Sequence, residues 1–271
     1  MPNKSISLQS TLRVLSVGAV LAASSSVVAG PITGQGTWET TLQGRDLDGN
    51  AATFEAFYDT TLDITWLADA NYARTSGFDA DGRMTWDSAN AWAAALDVFG
   101  ITGWRLPTVA PIDGSVFHTA FSTNATTDRG YADVDGWVDG AGAPVSEVGH
   151  MYYVTLGNLG ACPPDGGDGN PATCDGSPPT GWGLTNTADF DNVQTNFYWS
   201  GTELSAGGAW GFGFDRGLQG DFGEGNDLFA WAVRSGDVSV PAPGVLGLLG
   251  IGLAGMLAAG RGRRRADLAL R

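Results

Sequence analysis

The sequence predicts an α+β domain with a small, twisted, mainly antiparallel sheet, one main helix and long Gly- and Asp-rich loops. Two periodicities support this fold class. One segment carries apolar residues at the helical spacing of three and four, and several others alternate with the period of two that is typical of strands. Glycine indicates the loops, because 41 of the 271 residues are Gly, about twice the usual share of roughly 7%.

Residues 1–29 have the pattern of a secretory signal peptide. Lys4 and Arg13 precede a short apolar stretch, and small residues follow it, with Val27 and Ala29 at the two positions that a signal peptidase reads. The stretch is too short, and too rich in serine near its end, for a membrane anchor or a core helix. We therefore expect cleavage by a signal peptidase after Ala29 and an exported protein.

The first predicted strands lie between residues 54 and 67. Phe54 to Tyr58 and Leu62 to Leu67 are short apolar runs, and Asp59-Thr60-Thr61 separates them. Turn-forming residues between two such runs are typical of a hairpin. We expect these two strands to pair with each other.

One segment, Thr85 to Leu96, predicts a helix. Its apolar residues form a single stripe on the helix surface, made of Trp86, Ala89, Trp92, Ala93 and Leu96. Thr85 is placed to cap this helix, and Asp87 lies in the first turn, where the helix dipole favours an anion. Gly100 follows at a position where it is expected to end the helix.

The second half of the chain predicts further strands. Aromatic residues alternate with glycines from Trp210 to Phe214, and apolar residues alternate with small ones from Phe229 to Val233. Each segment is expected to bury one aromatic face. Phe197 to Ser200 is a third, shorter strand of the same kind.

Glycine concentrates in two long loops, residues 134–149 and 162–183. Cys162 and Cys174 lie in the second loop and are the only cysteines of the chain. Since the chain is predicted to be exported, we expect one disulfide between them. Closing a loop of this size adds about 3 kcal/mol of stability in the chain-entropy model. A redox-active pair is the alternative, although the spacing is not that of a C-x-x-C motif.

Charge is distributed unevenly along the chain. Residues 30–240 contain 28 Asp or Glu, seven Arg and no Lys, which gives this segment a net charge of −21. A general nucleic-acid-binding protein is excluded, because affinity for the phosphate backbone comes from Lys and Arg. The same segment contains all ten Trp, so it has enough apolar surface for one packed core.

Several loops place carboxylate and amide oxygens beside glycine, and two of them supply the candidate metal ligands: Asp46, Asp48, Asn50, Asp79 and Asp81. Hard oxygen ligands on flexible loops suit Ca²⁺. The first loop is not an EF-hand, because Gly49 comes too early and Phe57 occupies the place where a Glu ligand is needed. Solvated turns, in which Asp and Gly simply suit the backbone, are the alternative.

The sequence predicts no catalytic residues. His118 and His150 are the only histidines, and neither has a second His or a Cys at metal-ligand spacing. The sequence contains no G-x-S-x-G motif, which would mark the nucleophilic serine of a Ser-His-Asp triad. His150 lies beside Met151 and two tyrosines, and we expect it to be a hydrogen-bonded packing residue.

Residues 240–271 resemble a PEP-CTERM sorting signal. A Pro-x-Pro element, an apolar segment and an arginine cluster follow one another, and the residues that carry the resemblance are Pro241, Ala242, Pro243, Arg261, Arg263, Arg264 and Arg265. Ala242 replaces the Glu for which the family is named. The resemblance implies processing by the membrane protease exosortase, a tether to the inner membrane before processing, and release into the cell envelope or an exopolysaccharide-containing biofilm matrix.

The apolar segment of this tail is marginal as a transmembrane helix. Its 16 residues, 244–259, carry no charge and rise about 24 Å as a helix, less than the roughly 30 Å of a bilayer core. The arginine cluster would hold that end on the cytoplasmic side. A permanent single-span anchor is the alternative to transient tethering.

Residues from about 54 to 237 resemble the Lcl C-terminal-domain family. The resemblance is carried by the helix that begins at Thr85-Trp86 and by three later motifs, of which the matched residues are Trp104, Arg105, Leu106, Pro107, Thr108, Tyr198, Trp199, Ser200, Trp231 and Arg234. It implies a C-type-lectin-like scaffold that formylglycine-generating enzymes also use. Those enzymes act through cysteines late in the domain, where this chain has none, so their activity is not carried over.

Most motif residues are expected to be structural. Pro107 keeps Leu106 extended, so that Trp104 and Leu106 both point to the core. Arg105 and Arg234 are expected to pair with carboxylates inside the domain.

The chain therefore divides into a signal peptide (1–29), an Lcl C-terminal-like domain (30–239, core about 54–237) and a sorting signal (240–271). The leading hypothesis is an exported surface or matrix protein whose non-catalytic, lectin-like domain binds envelope or exopolysaccharide glycan, with Ca²⁺ as candidate cofactor and aromatic faces as a stacking platform. Two alternatives stay open: a structural or adhesive matrix protein that does not bind sugar, and an enzyme on the same scaffold.

Overall fold

The computed structural model describes residues 29–162 and 178–238. The predicted signal peptide up to Val28, Cys174 and the predicted sorting signal from Val240 onward lie outside the described residues. Within the described part of the chain, no helix combines the length and the apolar composition needed to cross a bilayer.

The described residues contain both helices and strands, and the α+β class is confirmed. The helices are α1 (Trp38–Thr41), α2 (Tyr72–Thr75), α3 (Trp86–Ala95) and α4 (Glu147–His150), and α4 continues into a π-helical turn, Met151–Thr155. The strands are β1 (Leu42–Arg45), β2 (Ala56–Asp59), β3 (Ile64–Leu67), β4 (Arg83–Met84), β5 (Trp104–Arg105), β6 (Phe121–Ser122), β7 (Arg129–Gly130), β8 (Phe197–Ser205), β9 (Gly208–Gly213), β10 (Leu218–Gly223), β11 (Leu228–Phe229) and β12 (Val233–Ser235).

The first sheet has the strand order β1-β2-β3-β12-β5 and is antiparallel throughout. It contains the hairpin predicted between residues 54 and 67, in which Phe57 pairs with Trp66. Strand β1 was not predicted, because Leu42 is the only large apolar residue among its four. It pairs with β2 so that Arg45 lies opposite Ala56, which makes residues 46–55 the loop of a second hairpin.

The second sheet has the strand order β4-β11-β8-β9-β10-β7-β6. It is mainly antiparallel, with parallel pairing between β11 and β8 and between β6 and β7. The prediction of a single small sheet was therefore wrong, because the described residues form two sheets. The segment predicted as one strand from Phe229 to Val233 divides, because Phe229 ends β11 in the second sheet and Val233 begins β12 in the first.

Helix α3 confirms the predicted helix, with Thr85 at its N-cap position. The Thr85 hydroxyl contacts the Ser88 hydroxyl at 3.0 Å instead of a backbone N–H group. Gly100 does not end the helix, since the chain is already extended at Leu96. The segment formed by α4 and the π-helical turn was missed, because nearly all of its residues are buried and no polar face marks a helical period.

Aromatic side chains form the centre of the core, where the two sheets meet. Trp231 is fully buried between them, with its ring centroid 4.9 Å from those of Trp66 and Phe190 and 5.8 Å from that of Phe214. Its indole N–H donates to the Leu67 carbonyl at 2.8 Å. Trp231 therefore lies between Trp66 of the first sheet and Tyr198 of the second, whose ring centroid is 6.1 Å from its own.

Candidate functional site

The G-W-R-L-P-T motif, residues 103–108, has a structural role. The Arg105 guanidinium donates two hydrogen bonds of 2.7 Å to the Glu147 carboxylate, so the ion pair predicted for Arg105 is confirmed. The Thr108 N–H group donates to the same carboxylate at 2.6 Å. Trp104, Leu106 and Pro107 are buried. The motif thus fastens β5 to the start of α4.

Arg234 differs from the prediction. Its guanidinium donates to the backbone carbonyls of Thr102, Ser235 and Asp237, and it forms no ion pair among the described residues. The reason is that Thr102 lies just before β5 and Asp237 just after β12, so backbone carbonyl groups are available to Arg234 at this end of the two paired strands. Arg234 therefore connects the ends of β5 and β12.

The Y-W-S-G-T motif is also structural. The Tyr198 hydroxyl accepts from the Gln194 N–H at 2.7 Å, and the Trp199 indole donates to the Met84 carbonyl at 2.8 Å. The Ser200 carbonyl accepts from the Trp86 indole at 2.8 Å. These contacts join β8 to β4 and α3. The residues of both sequence motifs thus belong to the framework of the fold.

The two histidines occupy different environments. His118 is exposed and contacts the Asp113 carboxylate at 2.8 Å. Hydrogen bonds from the backbone of Ser115, and then from His118, lower the pKa of Asp113. His150 is buried, and neither ring nitrogen has a hydrogen-bond partner within residues 29–162 and 178–238. His150 therefore packs in the core as predicted, but without the expected hydrogen bonds, and burial lowers its pKa to about 4.

The loop between β1 and β2 contains a cluster of three carboxylates. Asp46, Asp48 and Glu55 each offer an oxygen within 4.8 Å of the others. Asp46 and Asp48 were predicted as ligands, whereas Glu55 was assigned to a strand. The pairing of β1 with β2 brings Glu55 close to Asp46, because Glu55 lies directly before β2 and Asp46 directly after β1. The three oxygens are of the hard type that Ca²⁺ accepts, and a full shell needs six to eight oxygens.

The other predicted ligands lie outside this cluster. The Asn50 amide oxygen accepts from the Ala52 N–H group within the loop. Asp79 accepts from the N–H groups of Asp81 and Gly82, and these hydrogen bonds lower its pKa. Among the described residues, Asp79 and Asp81 belong to no group of three acidic, His or Cys ligands. Their loop has the geometry of the solvated turn that was the alternative prediction.

Cys162, in the loop of the predicted disulfide, is buried and disulfide-bonded. Its predicted partner, Cys174, lies outside the described residues.

Two cavities that share a lining residue lie beside the carboxylate cluster. The smaller, of about 270 Å³, is lined by Phe54, Glu55, Asp69 and Phe99 among others, and the larger, of about 830 Å³, by residues 29–31, Leu184 and 187–195. Asp191 lines both cavities. We call the two cavities together the groove. Neither histidine lines it.

Backbone pairing sets the acidic side chains of the groove side by side. The Glu55 carbonyl accepts from the Ala68 N–H group at 2.9 Å, and the Ala68 carbonyl accepts from the Asp191 N–H group at 2.8 Å. Asp69 and Asp191 form a parallel β-bridge. Glu55, Asp69 and Asp191 therefore stand on three neighbouring backbone segments, with Glu55 also belonging to the carboxylate cluster.

The far wall of the groove is held by a buried amide. Gly30 forms a β-bridge with Asn186, whose side-chain oxygen accepts from the N–H groups of Ile32 and Ala188 at 3.0 Å. The Asn186 amide nitrogen donates to the Leu156 carbonyl at 2.8 Å. The residues just after the predicted signal peptide are thereby fixed as part of the wall.

Two exposed phenylalanine rings flank the smaller cavity. Phe54 is 51% exposed and Phe99 is 60% exposed. Phe54 packs edge to face on Phe57, with ring centroids 6.0 Å apart, and a methyl group at Gly44 would overlap its ring. Of the ten Trp, all of which are in the described residues, only Trp182 is exposed, and it does not line the groove. The exposed aromatic rings that line the groove therefore belong to Phe and not to Trp.

Phe99 adopts an unfavourable backbone conformation. It occupies a two-residue turn between Val98 and Ile101, with a φ of 54°, and Gly100 follows with a φ of 85°. Positive φ at both positions is characteristic of a type I′ turn, which favours Asn at the first of them. Phe99 is therefore unfavourable at this position for two reasons: its backbone has a positive φ, and its apolar ring is exposed to solvent.

We expect Phe99→Asn to raise the free energy of unfolding by about 1 kcal/mol, because Asn tolerates the left-handed region better. The urea midpoint measured by circular dichroism would report this gain. Phe99→Leu is the matched control, since it also removes the aromatic ring but keeps the unfavourable conformation, and it should give no gain. A destabilised Phe99→Asn variant would contradict the assignment of strain.

Comparison with known proteins gives no match: no protein-family model, curated protein or solved structure matches this chain. The resemblances to the PEP-CTERM signal and the Lcl C-terminal domain stay predictions that rest on their motif residues. The groove is therefore interpreted from its own chemistry.

Proposed function

We propose that this chain is an exported, non-catalytic glycan-binding protein of the cell envelope or matrix, and that the groove is its binding site. The C-type-lectin-like scaffold, exosortase processing and inner-membrane tether implied by the sequence resemblances belong to the same proposal. The groove supports the binding function because it combines open aromatic faces with hydrogen-bond acceptors, which is the chemistry that sugars require.

One observation carries the proposal: the exposed rings of Phe54 and Phe99 line one cavity with the carboxylates of Asp69 and Asp191. A pyranose ring has apolar C–H faces that stack on aromatic rings, and hydroxyl groups at its edge that donate to carboxylates. Ligand sites commonly join an apolar wall to a few convergent polar groups in this way.

In this proposal a bound cation has only a supporting role in glycan binding. Asp46, Asp48 and Glu55 fit a hard cation as oxygen donors, and Glu55 also lines the groove. A Ca²⁺ ion bound there would place a positive charge beside the sugar site and fix the hairpin loop. Binding in the presence of Ca²⁺ and of EDTA therefore has to be compared.

The test is a glycan array followed by titration calorimetry with the purified protein, in Ca²⁺ and in EDTA. We expect saturable binding of at least one envelope or matrix polysaccharide. No saturable binding in either condition, together with concentration-dependent oligomers, would instead favour the structural matrix protein that does not bind sugar. Release of a cleaved or modified product would favour the enzyme.

The ring variants locate the site. Phe54→Ala and Phe99→Asn should each weaken binding about fivefold, because each removes a stacking face worth about 1 kcal/mol. Phe78→Ala is the matched control, since Phe78 is 61% exposed and does not line the groove, and it should bind as the wild type does. Equal binding by all three variants would place the sugar elsewhere.

A further inference from the structure

Two of the groove carboxylates have no partner among the residues that the structure describes. Asp189 and Asp191 are exposed and line the larger cavity. Neither carboxylate forms a hydrogen bond or an ion pair with another of the described residues, whereas Asp69 accepts from the Asn71 N–H group and the Asn192 side chain. Asp189 and Asp191 are therefore free to interact with a ligand.

The charge of the groove has one sign. Its lining contains the four carboxylates of Glu55, Asp69, Asp189 and Asp191, and none of the described lining residues is Arg, Lys or His. An anionic sugar such as a uronate would be repelled here, since nearby like charges are unfavourable where the wall excludes part of the solvent. A positively charged sugar would be attracted from a distance and then paired.

We infer that the groove binds an amino sugar, a glycan whose hexosamine units carry free, protonated amines. This inference rests on the proposed function and specifies its ligand. Each ammonium group would pair with Asp189 or Asp191, and the sugar faces would stack on Phe54 and Phe99. Aromatic faces attract cations as well as C–H groups. The phenylalanine rings and the carboxylates of the groove therefore both favour a positively charged sugar.

The experiment compares three β-1,4-linked oligosaccharides of equal length: deacetylated chitosan, chitin and cellulose fragments. Calorimetry at mildly acidic pH and low salt should show the chitosan fragment binding about tenfold more tightly than the other two, a difference of about 1.4 kcal/mol. High salt should reduce this preference. Equal or tighter binding of chitin or cellulose fragments would overturn the inference and leave glycan binding intact, whereas binding of none of the three would overturn it directly.

Variants separate the groove from the general acidity of the protein. Asp189→Asn combined with Asp191→Asn should weaken chitosan binding about tenfold and weaken chitin binding much less, because the asparagine amide oxygen still accepts from sugar hydroxyls but carries no charge. Asp135→Asn is the matched control, because Asp135 is exposed and outside the groove, and it should keep wild-type affinity. Thermal melts confirm that all variants are folded. Equal weakening by the control and the groove variants would show non-specific attraction and overturn the inference.

Discussion

Replacing Trp231 by alanine is expected to lower the free energy of unfolding by about 4 kcal/mol. The Trp231 ring is fully buried and contacts Trp66, Phe190 and Phe214, and its N–H group donates to the Leu67 carbonyl. The variant loses this apolar contact, leaves a cavity between the sheets and leaves a buried carbonyl without a donor. Since domains of this kind are stable by about 5–15 kcal/mol, the loss is a large fraction of the total.

Urea denaturation followed by far-ultraviolet circular dichroism measures this loss. Trp231→Phe keeps a ring in the core and should cost about half as much, which gives a measurable variant even where the alanine variant does not fold. Trp182→Ala is the matched control, since Trp182 is 45% exposed and outside the aromatic cluster, and it should change stability by no more than about 0.5 kcal/mol. A cost below about 1 kcal/mol for Trp231→Ala would show that the core does not depend on this contact.

The second large effect concerns pH. Burial lowers the pKa of His150 to about 4 from its ordinary value of 6.5, so the unfolded chain takes up a proton at this residue before the folded chain does. The stability that the neutral ring contributes is complete above pH 6.5 and is lost as the pH falls toward 4. Between about pH 7.5 and about pH 5, the loss amounts to about 2 kcal/mol.

Between these pH values the wild type should lose about 2 kcal/mol more stability on denaturation than His150→Phe, which fills the site without a titrating group. The comparison between pH values cancels any packing change in the variant. The comparison between the two proteins cancels Asp59, whose pKa is raised by burial and which acts in the opposite direction in both. His118→Gln, which replaces the exposed histidine, should keep the wild-type loss. A His150→Phe variant with the full loss would rule out His150 as its source.

The sequence was informative where a local pattern marks an element. The hairpin of β2 and β3 was predicted because turn-forming residues separate two short apolar runs. Helix α3 was predicted because its apolar residues recur with a helical period. The segment Glu147–Thr155 was missed for the opposite reason. Burial on nearly every side removes the polar face that reveals a helix.

The candidate site was only partly predictable. Asp46 and Asp48 were predicted because they lie beside glycine in a loop, but Glu55 joins them through the pairing of β1 with β2, which local sequence does not reveal. Asp191 reaches Asp69 across more than a hundred residues of chain through a single β-bridge. The one local signal that was available is the Phe-Gly pair at residues 99 and 100, which places an aromatic residue where a turn favours Asn.

The division of the last predicted strand has a consequence for how the domain comes apart. Only residues 230–232 separate β11 of one sheet from β12 of the other, and all three are buried. Because this connection is so short, neither sheet is expected to unfold without displacing residues 230–232 and exposing the Trp231 indole. The domain is therefore expected to behave as one cooperative unit, with no half that survives the loss of the other.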